Sequence, residues 1–301
     1  MDSDSLFHLK AQFHLGAYSA LTSNPLPDEN SPDYLQTLLY TTRSHIALGD
    51  PATALAILPE DDSEPSIKAV RAFAHYIQGQ DSASALEELR DASLEVEGEE
   101  GPLNGLVRVV AATAFLREGE VEEALTTLGA GTGAKDLECA ALVVQTYISI
   151  NRIDLAKKEY EAAKKHADDS LLIQLIEAAL GLATGGAGAT QASYIYTEQS
   201  LLLSSSSNPA IIAAKGIAHL VRGQLPEADA DFAEAERVGK SADASVGRVV
   251  VAELSGKPGS GEGLFKSLQE QYPAHPYVKD VVAKSQLFDE VAANFTVSST
   301  A

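Results

Sequence analysis

Cysteine is almost missing from this 301-residue chain, with Cys139 standing alone. That excludes an intrachain disulfide and a thiolate zinc cage, and it fits a reducing compartment. Basic residues are scarce as well. Twenty-two Lys and Arg stand against 43 Asp and Glu, a formal charge of −21. Such a surface repels phosphate backbones, so binding of DNA or RNA by counterion release is not expected, and an anionic membrane surface is disfavoured on the same ground. No window of about 20 apolar residues is available to span a bilayer. The most apolar stretch, residues 173–189, carries Gln174 and Glu177 and ends in glycines. The opening residues Met1-Asp2-Ser3-Asp4-Ser5 are acidic and polar, where a secretion signal needs a basic start and an apolar run. They are expected to be retained, in a soluble, cytoplasmic protein. Against these absences, 45% hydrophobic and 22% charged residues describe a chain that folds.

Catalytic spacing is absent too. The seven histidines, His8, His14, His45, His75, His166, His219 and His275, never form the His-Glu-x-x-His pair that sets two zinc ligands one helical turn apart. The glycine stretch Thr184-Gly-Gly-Ala-Gly-Ala-Thr190 has no Lys-Ser/Thr after it to reach a phosphate,. In Gly256-Lys-Pro-Gly-Ser-Gly-Glu-Gly263, Pro258 stands where the hydroxyl is needed,. Cys139 has no His or Lys beside it to lower its pKa, and it reads as a core thiol,. The cluster Glu95, Glu97, Glu99 and Glu100 lacks the oxygen-ligand spacing of a calcium loop and reads as a solvated loop,. No enzyme activity, cofactor or metal is expected.

What the chain does contain is a repeat. Gly49-Asp-Pro-Ala-Thr-Ala54, Gly119-Glu-Val-Glu-Glu-Ala124, Asn151-Arg-Ile-Asp-Leu-Ala156 and Gly223-Gln-Leu-Pro-Glu-Ala228 each place Gly or Asn five residues before Ala. A helix that stops and reverses needs a residue that accepts positive φ just past its end, and Gly or Asn does so most cheaply. The Ala then lies in the returning helix, where a methyl lets two helices approach. Leu58, Leu128, Tyr160 and Phe232 follow one turn later to fill the remaining gap. Weaker copies end at Leu21, Ala85 and Ala192, the last read with its turn at Ala187 and with Tyr196 one turn on. The seven anchors are 31 to 39 residues apart, a period of about 34 that marks tetratricopeptide-type helical hairpins.

Between anchors, residues 137–150 carry apolar side chains at spacings of three and four, the signature of one helix face,. Residues 103–116 are more continuously apolar, and the repeat frame assigns them to a helix. Turn-rich pieces fall at residues 25–32, 59–65, 95–102, 129–133, 185–188 and 257–263,. Beyond Ala228 the pattern weakens into a helix pair at 241–254 and 263–271 and a closing amphipathic helix at 275–295. The expected fold is therefore all-α. It is a tetratricopeptide-like α-solenoid, a right-handed superhelix of antiparallel helix pairs forming one domain over residues 1–301, with repeats over about 5–238 and a helical cap over about 239–301.

In such arrays the first helix of each pair lines the concave side, and the residues fifteen and eight before the anchor point into it. These are Leu39 and Ile46, Val70 and Ile77, Val109 and Leu116, Ala141 and Ile148, and Ala213 and Leu220, all apolar. Only the copy at Ala192 departs, with Glu177 and Thr184. An apolar groove of this kind implies a permanent partner, because a large apolar patch left in water promotes aggregation. The alternative is that these side chains pack against the adjoining repeat. A groove that clamps the acidic carboxyl terminus of a chaperone needs Lys, Arg and Asn there, and Leu39, Val70 and Val109 offer none. A regulatory tetratricopeptide adaptor that binds peptides transiently is the other reading.

Several stretches resemble one family, the epsilon subunit of coatomer, the COPI vesicle coat. They are Leu137-Glu-Cys-Ala-Ala, Asn151-Arg-Ile-Asp-Leu-Ala-Lys-Lys-Glu159, Leu180-Gly-Leu-Ala-Thr-Gly-Gly186, Ala192-Ser-Tyr-Ile-Tyr-Thr-Glu198, residues 216–235, and His275-Pro-Tyr-Val-Lys-Asp280 followed by Phe288-Asp289. The likeness is dense over residues 137–295, while the amino-terminal third matches mainly by repeat pattern. The resemblance implies a non-catalytic coat subunit whose superhelix wraps the carboxy-terminal region of the coatomer alpha subunit, among other coatomer subunits. It also implies a coat recruited to Golgi membranes by a small GTPase, for Golgi-to-ER retrograde and intra-Golgi transport, with membrane contact only through the coat.

Overall fold

A computed structural model describes residues 3–60, 63–79, 81–133, 135–202, 208–256 and 259–295. Among them the chain forms seventeen helices and no strand. The residues form two compact units, Met1–Ile195 and Tyr196–Ala301. Met1, Asp2, Asp61, Asp62, Lys257 and Pro258 lie outside the described residues, and with them parts of the opening segment and of the turns expected at 59–65 and 257–263.

The first unit holds five complete helix pairs and the start of a sixth. They are α1 (Asp4–His14) with α2 (Tyr18–Thr22), α3 (Tyr34–Ala47) with α4 (Pro51–Ile57), α5 (Pro65–Gln78) with α6 (Ser82–Glu95), α7 (Pro102–Glu118) with α8 (Val121–Thr127), α9 (Leu137–Ser149) with α10 (Ile153–Ala167), and α11 (Leu171–Thr184) with α12 (Gly186–Leu202). The reversals fall where the repeat places them. Gly16, Gly49, Gly79, Gly119 and Asn151 all have φ between 59° and 83°, the left-handed region that only Gly, and at some cost Asn, enters readily. Proline starts the next helix in several copies: Pro51, Pro65 and Pro102 are the first residues of α4, α5 and α7. At that position the missing N–H has no helical partner to lose. Asp50 accepts from the Thr53 amide at 3.1 Å and Asp136 from the Cys139 amide at 2.9 Å, capping α4 and α9,.

Every anchor lies at the interface that it was assigned. Leu21, Ala54, Ala85, Ala124, Ala156, Ala192 and Ala228 are no more than 2% exposed. The larger side chains one turn on, Leu58, Leu128, Tyr160, Tyr196 and Phe232, are buried as well. The residues 103–116 form part of α7, and all of Val107, Val109, Val110 and Phe115 are buried, which accounts for their continuous apolarity. One boundary differs from the sequence reading. The glycines at 185–188 are not a loop: Gly185 and Gly186 make the turn with positive φ, and α12 runs from Gly186, so Ala187 and Gly188 are helical. Gly188 is needed there because a Cβ on it would lie 2.9 Å from the Cα of Gly181. Two glycines face each other where α11 and α12 cross, and the pair closes tightly without a turn of ordinary length.

The second unit continues with α13 (Pro209–Val221) and α14 (Leu225–Val238), joined at Gly223 with φ of 75°. Then come α15 (Ala242–Leu254), α16 (Glu262–Gln271) and α17 (Pro276–Ala292), close to the ranges read from sequence. Phe232 of α14 is fully buried between Gly216 of α13 and Gly247 of α15, and a Cβ at Gly216 would come within 2.7 Å of its ring. Each neighbour gives up its side chain to make a slot for one ring. Tyr277, Val278 and Val282 seat the first half of α17 against Val249 and Leu268. Its second half leaves Leu287, Phe288 and Val291 in water, so this helix ends with an uncovered apolar strip where a cap is expected to present a polar face.

The seam yields a direct test. Ala156→Leu and Ala228→Leu each insert extra methylenes into a closed contact and are expected to cost about 1 to 3 kcal/mol. Denaturant midpoints measure this, and a neutral result at both positions would place the helix contact elsewhere. Gly247→Ala is expected to destabilise in the same range, because the new methyl meets an immovable ring.

Candidate functional site

The odd-numbered helices of the first unit form the layer that the repeat frame assigns to the inner wall. In the first unit α3, α5, α7, α9 and α11 touch one another in series, while α4, α6, α8 and α10 each touch their own partner and the following odd-numbered helix. The structure separates the ten apolar residues expected on this wall. Leu39, Val70, Val109 and Ala213, at the position fifteen before the anchor, are buried within the chain itself, and only Ala141 of that set is half-buried. The reason is lateral packing: Leu39, Val70 and Val109, from three successive inner helices, share one core cluster. Of the residues eight before the anchor, Ile46 is buried, whereas Ile77, Leu116, Ile148 and Leu220 remain half-buried. Half of the expected groove is thus interior packing. What remains open is a strip of about one residue per inner helix.

A second departure is larger, because the wall also carries charge. Arg43 is four residues after Leu39 and three before Ile46, and Glu138 is three before Ala141, so both lie on the wall-facing stripe of their helices. Their side chains are 10% and 14% exposed, and Arg43 Nη2 donates to Glu138 Oε2 at 2.8 Å. The other carboxylate oxygen lies 3.1 Å from His14 Nε2 and also accepts from the Tyr40 hydroxyl. The guanidinium stands 4.4 Å above the Phe13 ring and 5.3 Å from that of Tyr40, an attraction that gains strength away from water. Three helices, α1, α3 and α9, converge on one carboxylate.

Burial works to raise the Glu138 pKa, but Arg43, then His14, then Tyr40 pull it the other way and prevail, so it falls well below the usual carboxylate range. Burial alone would lower the Arg43 pKa, and Glu138 more than offsets that. Burial, then Glu138, pushes the Tyr40 hydroxyl far up, which keeps it a neutral donor. Arg43 Nη1 is buried with no acceptor, a cost that a purely apolar contact would not carry. These residues escaped the sequence reading. The available signal was a charged residue at i+4 within an otherwise apolar stripe.

The remaining polar candidates are satisfied locally. Glu177, the departure from the apolar pattern, accepts from Tyr160 Oη at 2.9 Å, and Thr184 donates back to Leu180 O at 2.8 Å. His219 Nδ1 is 2.7 Å from Asp231, whose other oxygen accepts from Lys215 at 2.8 Å, a bridge between α13 and α14. Cys139 is fully buried 3.5 Å from Gly105 O, and burial pushes its thiol pKa up, away from nucleophilic character. Arg108 donates to the carbonyls of Val96 (2.8 Å) and Glu99, so the acidic segment after α6 is tied down by backbone contacts. Among the described residues no three His, Cys, Asp or Glu side chains gather as a metal requires, and no helix is long and apolar enough to cross a membrane.

Glu138→Gln removes the charge but keeps the shape, leaving Arg43 buried and uncompensated. A loss of about 3 to 5 kcal/mol is expected at neutral pH. A carboxyl whose native pKa is depressed contributes stability that is complete above its unfolded value, near 4.5, and is lost as pH falls toward the native value. The neighbouring Asp136 has its pKa raised by burial and acts in the opposite sense. The difference between parent and variant stability should therefore shrink as pH is lowered from about 4.5, as read by urea titrations across pH. A difference independent of pH would contradict the assignment.

Comparison with known proteins agrees with this architecture. The model of the coatomer epsilon subunit family matches residues 2–296. Coatomer subunit epsilon-1 of Arabidopsis thaliana is 29% identical over 297 residues, covering 97% of each chain. Coatomer subunit epsilon of Caenorhabditis elegans is 25% identical, covering 97% of this chain and 99% of its own. In structure, a tetratricopeptide repeat protein of Parabacteroides merdae superposes with a TM-score of 0.57 at 15% identity, covering 82% of this chain and 97% of that one. A chain of the APC/C hetero-tetramer Cut9-Hcn1 superposes with a TM-score of 0.61 at 17% identity, covering 94% of this chain and 55% of that one. The two structures show the fold, an all-α tetratricopeptide-like solenoid, and the family match along nearly the whole sequence shows the kinship: the chain belongs to the coatomer epsilon subunit family.

Proposed function

We propose that this protein is a non-catalytic structural subunit of the COPI coat that holds the carboxy-terminal region of the coatomer alpha subunit along its inner wall. Its place is cytoplasmic and peripheral on Golgi membranes and COPI-coated vesicles, in Golgi-to-ER retrograde and intra-Golgi transport, with membrane contact only through other coat subunits. The observation that carries this reading is the strip of half-buried apolar side chains on successive inner helices, Ile77, Leu116, Ala141 and Ile148 in the first unit, with Leu220 at the matching place in the second. Each has the partial exposure that a permanent partner would complete and that a free chain gains nothing from leaving wet. The acidic balance of 43 against 22 supports a contact to the membrane made by others.

The reading predicts that the alpha subunit stays bound through a wash in about 0.5 M salt, since apolar burial is not screened, whereas a transient electrostatic adaptor would be released. The paired substitution Leu116→Asp with Ile148→Asp is expected to abolish co-purification while leaving helicity by circular dichroism unchanged. Both positions are half-buried and pack against the core on one side, so the unchanged circular dichroism is what separates loss of the partner from loss of the fold. Retention of the alpha subunit by that variant, or its loss from the parent in the wash, would overturn the proposal.

A further inference from the structure

In a helical-hairpin array each repeat contacts its neighbours, and the curve of the stack follows from a small rotation at each interface. Arg43 belongs to the second pair and Glu138 to the fifth, 95 residues apart, with His14 of the first pair on the same carboxylate. The bridge therefore spans the third and fourth pairs without involving them. A chord drawn across a series of interfaces constrains all of them together. Any rotation shared among α3/α5, α5/α7 and α7/α9 separates the ends of a 2.8 Å hydrogen bond, which tolerates little stretching,. The chord is ionic at a place where apolar contact would be the easier solution, and one guanidinium N–H is left without an acceptor. Removing one side of the bridge leaves the other buried and unpaired, so the two helices are driven apart unless both members of the pair are present or both are replaced.

We propose that Arg43 and Glu138 are positioning residues whose bridge ties the second inner helix to the fifth and so fixes the curvature of the strip formed by Ile77, Leu116, Ala141 and Ile148. This rests on the proposed partner site for its consequence, and on the bridge alone for its geometry. The curvature set by the chord is what makes the strip complementary to one rigid occupant. Without it, the partner selects its conformation from a broader set of curvatures, and affinity falls by the fraction of chains that are correctly bent.

The experiment separates the two claims. Spin labels on Ser5→Cys of α1 and Lys158→Cys of α10, both exposed, report the span of the first unit by pulsed dipolar spectroscopy in the full chain. The native thiol is buried and stays unlabelled. The parent is expected to give one narrow distance, Glu138→Gln a broader and longer distribution, and the apolar pair Arg43→Met with Glu138→Leu a return to a narrow one. Affinity for the carboxy-terminal region of the alpha subunit is expected to fall about tenfold in Glu138→Gln and to recover in the apolar pair, a rescue that general destabilisation does not produce. Should Glu138→Gln fail to fold, Arg43→Lys, which keeps the charge but loses the flat two-pronged donor, takes its place with the same expectations. A folded Glu138→Gln or Arg43→Lys with the parent's distances overturns the tie. A broad distribution in the apolar pair shows general loosening and overturns it equally. Changed distances with unchanged affinity overturn the positioning role. A parent chain that binds no alpha subunit refutes the partner assignment instead, and the distance result stands without it.

Discussion

Two helices lie close together only where at least one of them gives up side-chain volume, and here that concession recurs at nearly fixed intervals. Ala54, Ala124, Ala156, Ala192 and Ala228 are closed to solvent, so each returning helix sits against its partner at a methyl. In the second unit the same logic goes further, with Gly216 and Gly247 both receding so that Phe232 fits between them. Elsewhere in the chain the contact is made without any side chain, Gly181 on Gly188. Capping, reversal and lateral packing of the inner helices all presuppose this seam, because each depends on where the returning helix is held.

Much of this was legible in the residues. A small side chain five positions after a turn former, with a large one four positions further, is a local statement about one hairpin, and four such statements, with three weaker copies in register, locate seven hairpins. Continuous apolarity over 103–116 was equally readable once the frame was known, since α7 is surrounded by neighbours. The glycine run at 185–188 was misread because glycine's usual role is to break helices. Gly185 and Gly186 do make the turn, but the role of Gly188 is close approach, and that depends on Gly181 in another helix. The inner wall was legible only as a stripe. Which of its residues face a neighbouring helix and which face outward depends on lateral packing among α3, α5 and α7, and no single-helix periodicity contains that information. The bridge between Arg43 and Glu138 joins residues 95 apart and leaves no periodic trace.

The inner surface is accordingly neither a smooth greasy channel nor a charged clamp. In the first unit it combines a buried ionic knot, which ties α1 and α3 to α9, with a narrow apolar strip on α5, α7 and α9. In the knot the Glu138 carboxylate is engaged by its own chain, with partners from α1 and α3. The strip is the part with unfinished burial. The two parts therefore differ in what they leave for another molecule: the knot offers it little, and the strip offers apolar area.

The knot bears on how the first unit comes apart. In a linear stack, stability is close to a sum over neighbours, and the ends can fray one hairpin at a time. A link from the second hairpin to the fifth removes that freedom, since the hairpins in between cannot melt separately without stretching or breaking it. The segment from α1 to α9 becomes a single cooperative block within an otherwise additive array. Such a block resists the piecemeal opening by which proteases and chaperones usually gain entry to repeat proteins.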